Sequence, residues 1–240
     1  MKYLVFFLLF SFACTKIEYI IEQPVKTASD TSSAKEASKK PPVDTVWMTK
    51  PYILKDGDGN VYDTVNIGSQ TWLSENLKTT RYINGVRIPN CTDDGIWSIL
   101  QTPAFCYYNN DSTSKNILYN WYAVNTGKLC PLKWHVATDS DWIGLELAFG
   151  MSQIYIDSMG WRDTEMAAHL ESSDFRAQLK GFRDAIHGWF DENGMSGNWW
   201  TSISYDIYEA YERGLFLTKQ EIYRGLSYKG GGASVRCIKD

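Results

Sequence analysis

Apolar positions in this chain fall into three textures, each suited to a different physical state. Met1-Lys2 leads into an apolar block from Tyr3 to Phe12, broken only by Ser11 and closed by Ala13-Cys14. A single positive charge, a core of roughly ten greasy residues and a small residue before a cysteine read as a secretory signal, too short to span a bilayer as a helix. From Thr15 to about residue 45 the chain is polar and small, as in Thr27-Ala28-Ser29-Asp30-Thr31-Ser32-Ser33 and Lys39-Lys40-Pro41-Pro42. That composition cannot offset the entropy of ordering and predicts a mobile tether.

From Trp47 onward, short aromatic and β-branched runs are punctuated by Gly, Asn and Asp, and all ten tryptophans lie in this part. Asp58-Gly59-Asn60 is a turn signal, residues 61–67 predict a strand, and Gly68-Ser69 turns it back through residues 70–73 as a hairpin. Further strands are predicted over 105–108, 118–124, 199–203, 210–218, 221–226 and 234–238. The clearest helix starts at Thr138, whose hydroxyl can cap the first turn, with Asp139 and Asp141 favoured there by the helix dipole. Trp142, Leu145 and Phe149 repeat at helical spacing, Ile143 and Leu147 widen the stripe, and Gly150 stops it. A second helix is predicted from residue 164 to about 170. Two or so helices among many short strands predict an α+β domain with a mixed or antiparallel sheet.

Composition narrows the class. The 24 Lys and Arg are outnumbered by 28 Asp and Glu, so no basic footprint for nucleic acid is present. The organisation expected is a signal at residues 1–13, a lipid-anchored linker at 14–45 and one folded domain at 46–240. Ala13-Cys14 fits the lipobox of bacterial lipoproteins, in which the cysteine becomes the lipid-bearing N-terminus. Ser11 and Phe12 fit it only loosely. Two or three acyl chains would hold the protein on a membrane almost permanently. Thr15 after the cysteine points to the outer membrane or cell surface, with plain secretion as the alternative.

Cys91, Cys106, Cys130 and Cys237 make an even set in a compartment that permits disulfides, and three pairings are open. The favoured one joins Cys91 to Cys106 across a short loop and Cys130 to Cys237 across most of the domain. In the entropic view the second bridge stabilises by about 4–5 kcal/mol. There is no CxxC pair, and His135, His169 and His187 are not at ligand spacing, so neither a metal site nor a cofactor is expected.

Four segments in order resemble one bacterial family, the Fibrobacter succinogenes major paralogous domain. They are Asp58-Gly59-Asn60-Val61-Tyr62 with Ile67-Gly68-Ser69-Gln70-Thr71-Trp72-Leu73-Ser74-Glu75-Asn76-Leu77; Tyr107-Tyr108-Asn109-Asn110-Asp111; Leu118-Tyr119-Asn120-Trp121-Tyr122-Ala123-Val124, running on to Cys130-Pro131 and Trp134-His135-Val136; and the closing Ser234-Val235-Arg236-Cys237. Lys133 stands where Gly is usual, Ala137 where Pro precedes the Thr-Asp cap, and residues 150–180 match poorly. The family in turn is similar to the C-type-lectin-like superfamily near the sulfatase-modifying, formylglycine-generating type. That resemblance implies a loop-rich α+β domain whose first and last strands pair.

Fold does not fix function, so the chemistry is weighed residue by residue. Formylglycine-type oxidation needs reactive thiols, and disulfides explain these cysteines better. A hydrolase needs a nucleophile with a base, or paired carboxylates. His135 and His187 have no identifiable Ser or Cys partner, and Asp191-Glu192-Asn193-Gly194 reads as a hairpin turn. Asp56-Gly57-Asp58-Gly59-Asn60 is half a calcium loop, but Ile67 stands where a bidentate Glu would be needed, so a turn is expected. What remains is aromatic recognition: Trp199, Trp200, Trp121 and Tyr108 are the ligand-binding candidates, since adjacent strand residues face opposite sides and both tryptophans are core only if both faces are covered. The reading is a non-catalytic surface lipoprotein that meets the membrane through its lipid and binds a polysaccharide or an envelope protein. The alternative is an extracytoplasmic sulfatase-modifying-type enzyme.

Overall fold

The computed structural model describes residues 53–163 and 165–240. The segments expected as signal and tether, with Cys14, lie outside the described residues.

The opening hairpin follows its turn chemistry. β1 (Thr64–Ile67) and β2 (Gln70–Leu73) pair antiparallel with Ile67 opposite Gln70, and Gly68 takes the bend at φ +58°. Ahead of it, Asp56 accepts the amides of Asp58 and Asn60, the Asn60 side chain and the Tyr62 hydroxyl. The acidic run is thus a turn clamp with both carboxylate oxygens occupied.

After α1 (Asp94–Ile99), β3 (Phe105–Tyr107) pairs with β4 (Ile117–Asn120). The single strand expected over 118–124 ends early, because Asn120 Oδ1 accepts from the Ala123 amide at 3.1 Å and caps a short helix, α2 (Trp121–Val124). β5 (Trp134–Val136) leads to α3 (Asp139–Ala148), where Thr138 and Asp141 form the reciprocal capping box. α4 (Gln153–Ile156), β6 (Gly160–Arg162) and α5 (Met166–Ser172) make up the stretch that matches the family pattern poorly.

The remaining strands are β7 (Lys180–Arg183), β8 (Phe190–Asn193), β9 (Ser196–Ser204), β10 (Glu209–Phe216), β11 (Ile222–Tyr228), β12 (Gly232–Ala233) and β13 (Cys237–Lys239). Residues 234–236, expected inside one closing strand, instead cross between sheets. Their backbone groups bond in turn to Asn198, Leu77 and Ala137.

One sheet has the order β1-β2-β13-β5; the other runs β3-β4-β12-β7-β9-β10-β11-β6, with β8 on β7. Only the β7–β9 contact among named strand pairs is parallel, so the domain is α+β with mixed, largely antiparallel sheets. The closing strand joins the opening hairpin through Ile238 opposite Trp72. Strand β9 is covered on both faces: Trp199 packs into the core of Trp72, Trp142 and Phe175, and Trp200 into that of Tyr119, Trp121 and Val235.

Asn76 and Arg236 tie these layers together. Arg236 is fully buried and donates to Asn76 Oδ1 and to the carbonyls of Leu73, Phe175 and Arg176, with its guanidinium 4.1 Å from the Phe175 ring centroid. Burial among neutral acceptors lowers its pKa to about 9. Asn76 Oδ1 also takes the Trp199 indole N–H at 2.8 Å, while its Nδ2 donates to Ser234. Truncating Asn76 orphans a buried guanidinium N–H and a buried indole at once, whereas truncating Thr138 frees only helix-end amides. Asn76→Ala is therefore expected to cost about 3–5 kcal/mol and Thr138→Ala about 1 kcal/mol in urea unfolding; equal losses would contradict this weighting.

Candidate functional site

The four aromatic candidates do not form a surface. Trp199, Trp200, Trp121 and Tyr108 are all buried, and the three indoles donate inward, to Asn76 Oδ1, the Tyr119 carbonyl and the Thr201 carbonyl. The reason is the two-sided burial of β9, which makes core of both neighbours in the Trp-Trp pair. Tyr108 packs edge-on against Phe190.

The cysteines divide. Cys130 and Cys237 are bridged, with Cα atoms 5.9 Å apart, joining the loop before β5 to the closing strand. Cys91 and Cys106, expected as a second bridge, are separate thiols. Cys106 points into the cluster of Trp97, Ala104 and Leu118, whereas the Cys91 thiol turns to the Asp93 carbonyl at 3.7 Å. Burial pushes Cys106 up to about 12 and raises Cys91 as well, with nearby Arg183 opposing both shifts. Neither is an activated thiolate at neutral pH. His135 lies between Asp240 and Asp141, and His187 bonds Asp184 and stacks on Trp189, so the hydrogen-bond partners of both ring systems are carboxylates.

A cleft missed from the sequence lies over β9, β10, β11 and β6. Along these strands Asn198, Gly214, Tyr223 and Trp161 are successive cross-strand partners, with Glu212 next along β10, paired to Trp200 and Gly225. All therefore face one side of the sheet. The first core covers that side only as far as Trp200 and Ala210. Beyond them two cavities of about 170 and 320 Å³ adjoin, both lined by Asn198 and Glu212. Small residues form the floor, and Gly225 is required there: a Cβ would overlap the Tyr223 ring, which lies across the strand with its hydroxyl end beside the position opposite Glu212. Trp161, 41 % exposed, stacks at a tilt on Tyr223 with centroids 5.2 Å apart.

The two sides of this sheet treat charge in opposite ways. On the inner side, Glu146 accepts from Arg162 at 2.8 Å and Arg213 at 2.7 Å, and Asp139 pairs with Arg213 and Arg224. Burial alone would raise Asp139, but the two guanidiniums hold it below the usual carboxylate range. On the cleft side, Glu212 has no ion-pair partner among the described residues. Desolvation pushes its carboxyl up to about 7, opposed only by a hydrogen bond from Asn198. Ser196 donates to Asn198 Oδ1 at 2.9 Å and so fixes that amide's orientation. A larger hollow of about 620 Å³, bordered by Ile53, Val61, Leu132 and Trp134, has only Lys133 and Lys239 as charged lining groups.

The Fibrobacter succinogenes major domain family matches residues 65–239. The chain belongs to this family. No curated protein and no solved structure matches it. The residues shared with the family pattern are largely those that hold the major domain together: Gln70 donates to the Asp141 carbonyl, Asn76 and Arg236 tie the cores, and Cys237 is bridged. The cleft of this major domain falls mostly on β6, β9, β10 and β11, outside the quoted motifs. Its one legible signal was isolated glycine within strand patterns, at Gly214 and Gly225, which marks close approach.

Glu212 makes a pH-dependent prediction. Its folded pKa is raised above the ordinary 4.5, so the folded chain holds a proton that the unfolded chain has lost. Its contribution to stability is full below about 4.5 and is lost as pH rises through about 7. Glu212→Gln is expected to melt roughly 3–8 °C above the parent at pH 8, with the gap closing at pH 4.5. Equal melting temperatures at pH 8 would contradict it.

Proposed function

We propose that the protein is a lipid-anchored lipoprotein of the outer membrane or cell surface, whose major domain is a non-catalytic module that captures polysaccharide. The observation that carries this reading is the cleft, in which a half-exposed indole and a phenol flank a floor of amide, hydroxyl and carboxyl groups. Sugar rings present an apolar face to aromatic side chains and hydroxyls to polar ones, and this combination serves both. The Ala13-Cys14 sequence and the polar stretch after it support presentation on a membrane surface. An envelope protein is the second class of ligand for the same surface.

A sulfatase-modifying-type oxidase is the alternative reading, favoured by the two free thiols near one another at Cys91 and Cys106. Their raised pKa values weigh against it, since such chemistry starts from thiolates.

Binding of the chain to a panel of plant and bacterial polysaccharides tests the main reading. Saturable binding is expected, weakened about tenfold or more by Trp161→Ala and unchanged by Trp189→Ala, which alters a still more exposed indole outside the cleft. Absence of binding across the panel, or equal loss in both variants, would contradict it. Metabolic labelling with a clickable fatty acid tests the anchor: label is expected on the parent and lost in Cys14→Ser, and a parent that never takes label in a lipidating host overturns it.

A further inference from the structure

We propose that Glu212 is the anchor for an ammonium group on the captured sugar, so that the cleft selects an amino sugar with a free amine over neutral and N-acetylated sugars. This rests on the polysaccharide reading given above and adds to it the chemical class of the ligand.

The charge on Glu212 is unbalanced within the cleft. Taking a carboxylate out of water is costly unless a cation or several donors compensate it. Elsewhere the carboxylates have partners: Glu146, through Oε1, and Asp139 share three arginines, and Asp56 accepts from four donors. Glu212, one residue from Arg213 on the same strand but facing the other way, is given only Asn198. The charged and titratable groups that face it across the two cavities are Arg183 on β7, Asp184 just after it, Glu192 on β8, Lys219 between β10 and β11, and Tyr223 and Tyr228 on β11.

Neither cation among them serves Glu212. Arg183 spends its guanidinium on the Gly188 carbonyl, the Cys91 carbonyl and Asp94, at 2.7, 2.6 and 2.7 Å, stacked between Trp97 and Phe190. Lys219 Nζ sits over the Trp161 ring, 4.9 Å from its centroid. The remaining groups, Asp184 and Glu192, add negative potential. The cleft therefore presents an uncompensated acid beside an aromatic pair, the arrangement that favours a cation. Tyr223 contributes twice, by its ring face and by a hydroxyl whose pKa is raised by burial and by the nearby Glu212 and Glu209 carboxylates, so it stays a neutral donor.

A small organic cation fits better than a metal ion, because Asp184 and Glu192 line different cavities from one another and no group of three metal-binding side chains exists among the described residues. A sugar amine supplies one charge and three N–H donors, enough for Glu212 and the hydroxyls around it. The adjoining second cavity, walled by Trp161 and Tyr223, then takes the next ring of the chain.

The test uses the full chain in detergent solution with two probes of equal length, a β-1,4-linked glucosamine tetramer and its fully N-acetylated counterpart. At pH 7 the free amine is expected to bind at least tenfold more tightly. Glu212→Gln, an isosteric change whose folding is checked by its melting curve, is expected to abolish that preference, so that the free-amine tetramer binds no more tightly than the acetylated one. Affinity for the free amine is expected to pass through a maximum near neutrality and fall at least tenfold by pH 5, as Glu212 takes up its proton; the acetylated tetramer stays flat. Equal binding of both tetramers, or a preference that survives Glu212→Gln, overturns the inference and leaves polysaccharide capture standing. If neither tetramer binds but a neutral polysaccharide does, the inference fails and the wider reading again survives. If only a lysine tripeptide binds, in a Glu212-dependent way, the amino-sugar assignment is overturned in favour of a polypeptide.

Discussion

A guanidinium held away from water by neutral acceptors organises this domain. Arg236 lies at the crossing from one sheet to the other, and its donors reach the end of the opening hairpin at Leu73, the loop after α5 at Phe175 and Arg176, and Asn76. Each acceptor belongs to a segment distant in sequence, so the fold can satisfy the guanidinium only when all of them are in place. Asn76 extends the requirement to Trp199 and Ser234. Replacing one partner leaves a buried charge or donor unpaired, which costs far more than one surface hydrogen bond. The Cys130–Cys237 bridge follows the arginine by one residue and secures the same crossing covalently.

From this junction β9 passes between two cores, and the character of the outer sheet follows. Toward α3 the arginines of β6, β10 and β11 and the acids of α3 close a charge network. The opposite side has core only as far as Trp200 and Ala210, and past them the sheet is roofless. Glu212 and Arg213 show the divide within two adjacent residues. Arg213 is wholly buried and paired with two acids, while Glu212 faces a cleft and retains its proton up to near neutral pH. Glu212 thus faces the cleft with no ion-pair partner among the described residues, and the proposed ammonium contact rests on that placement.

Much of the frame was legible in the sequence because local chemistry and tertiary position agree there. The Gly68-Ser69 turn, the Thr138 cap and the β2 strand form where residue type alone places them. The strand expected through residue 124 failed at Asn120, where one side-chain cap outweighs β-propensity over four residues. The aromatic candidates failed for a reason of assembly: whether β9 has one free face or none depends on α3 and on residues far along the chain. The second bridge expected across the short loop is not formed: Cys91 and Cys106 share one cluster as separate thiols, and Cys91 donates to the Asp93 carbonyl. The cleft was least legible of all, because its members come from four strands and are joined only by cross-strand register.

Hydroxyl-radical footprinting of the full chain, with and without a bound polysaccharide, examines the central claim most directly. Trp161 and Tyr223 are expected to lose reactivity when ligand is bound, while Trp189 and Tyr155, exposed outside the cleft, keep theirs. Unchanged reactivity at Trp161 and Tyr223 in a saturated complex, or protection centred instead on Leu132 and Trp134 at the other hollow, would contradict the assignment of the cleft.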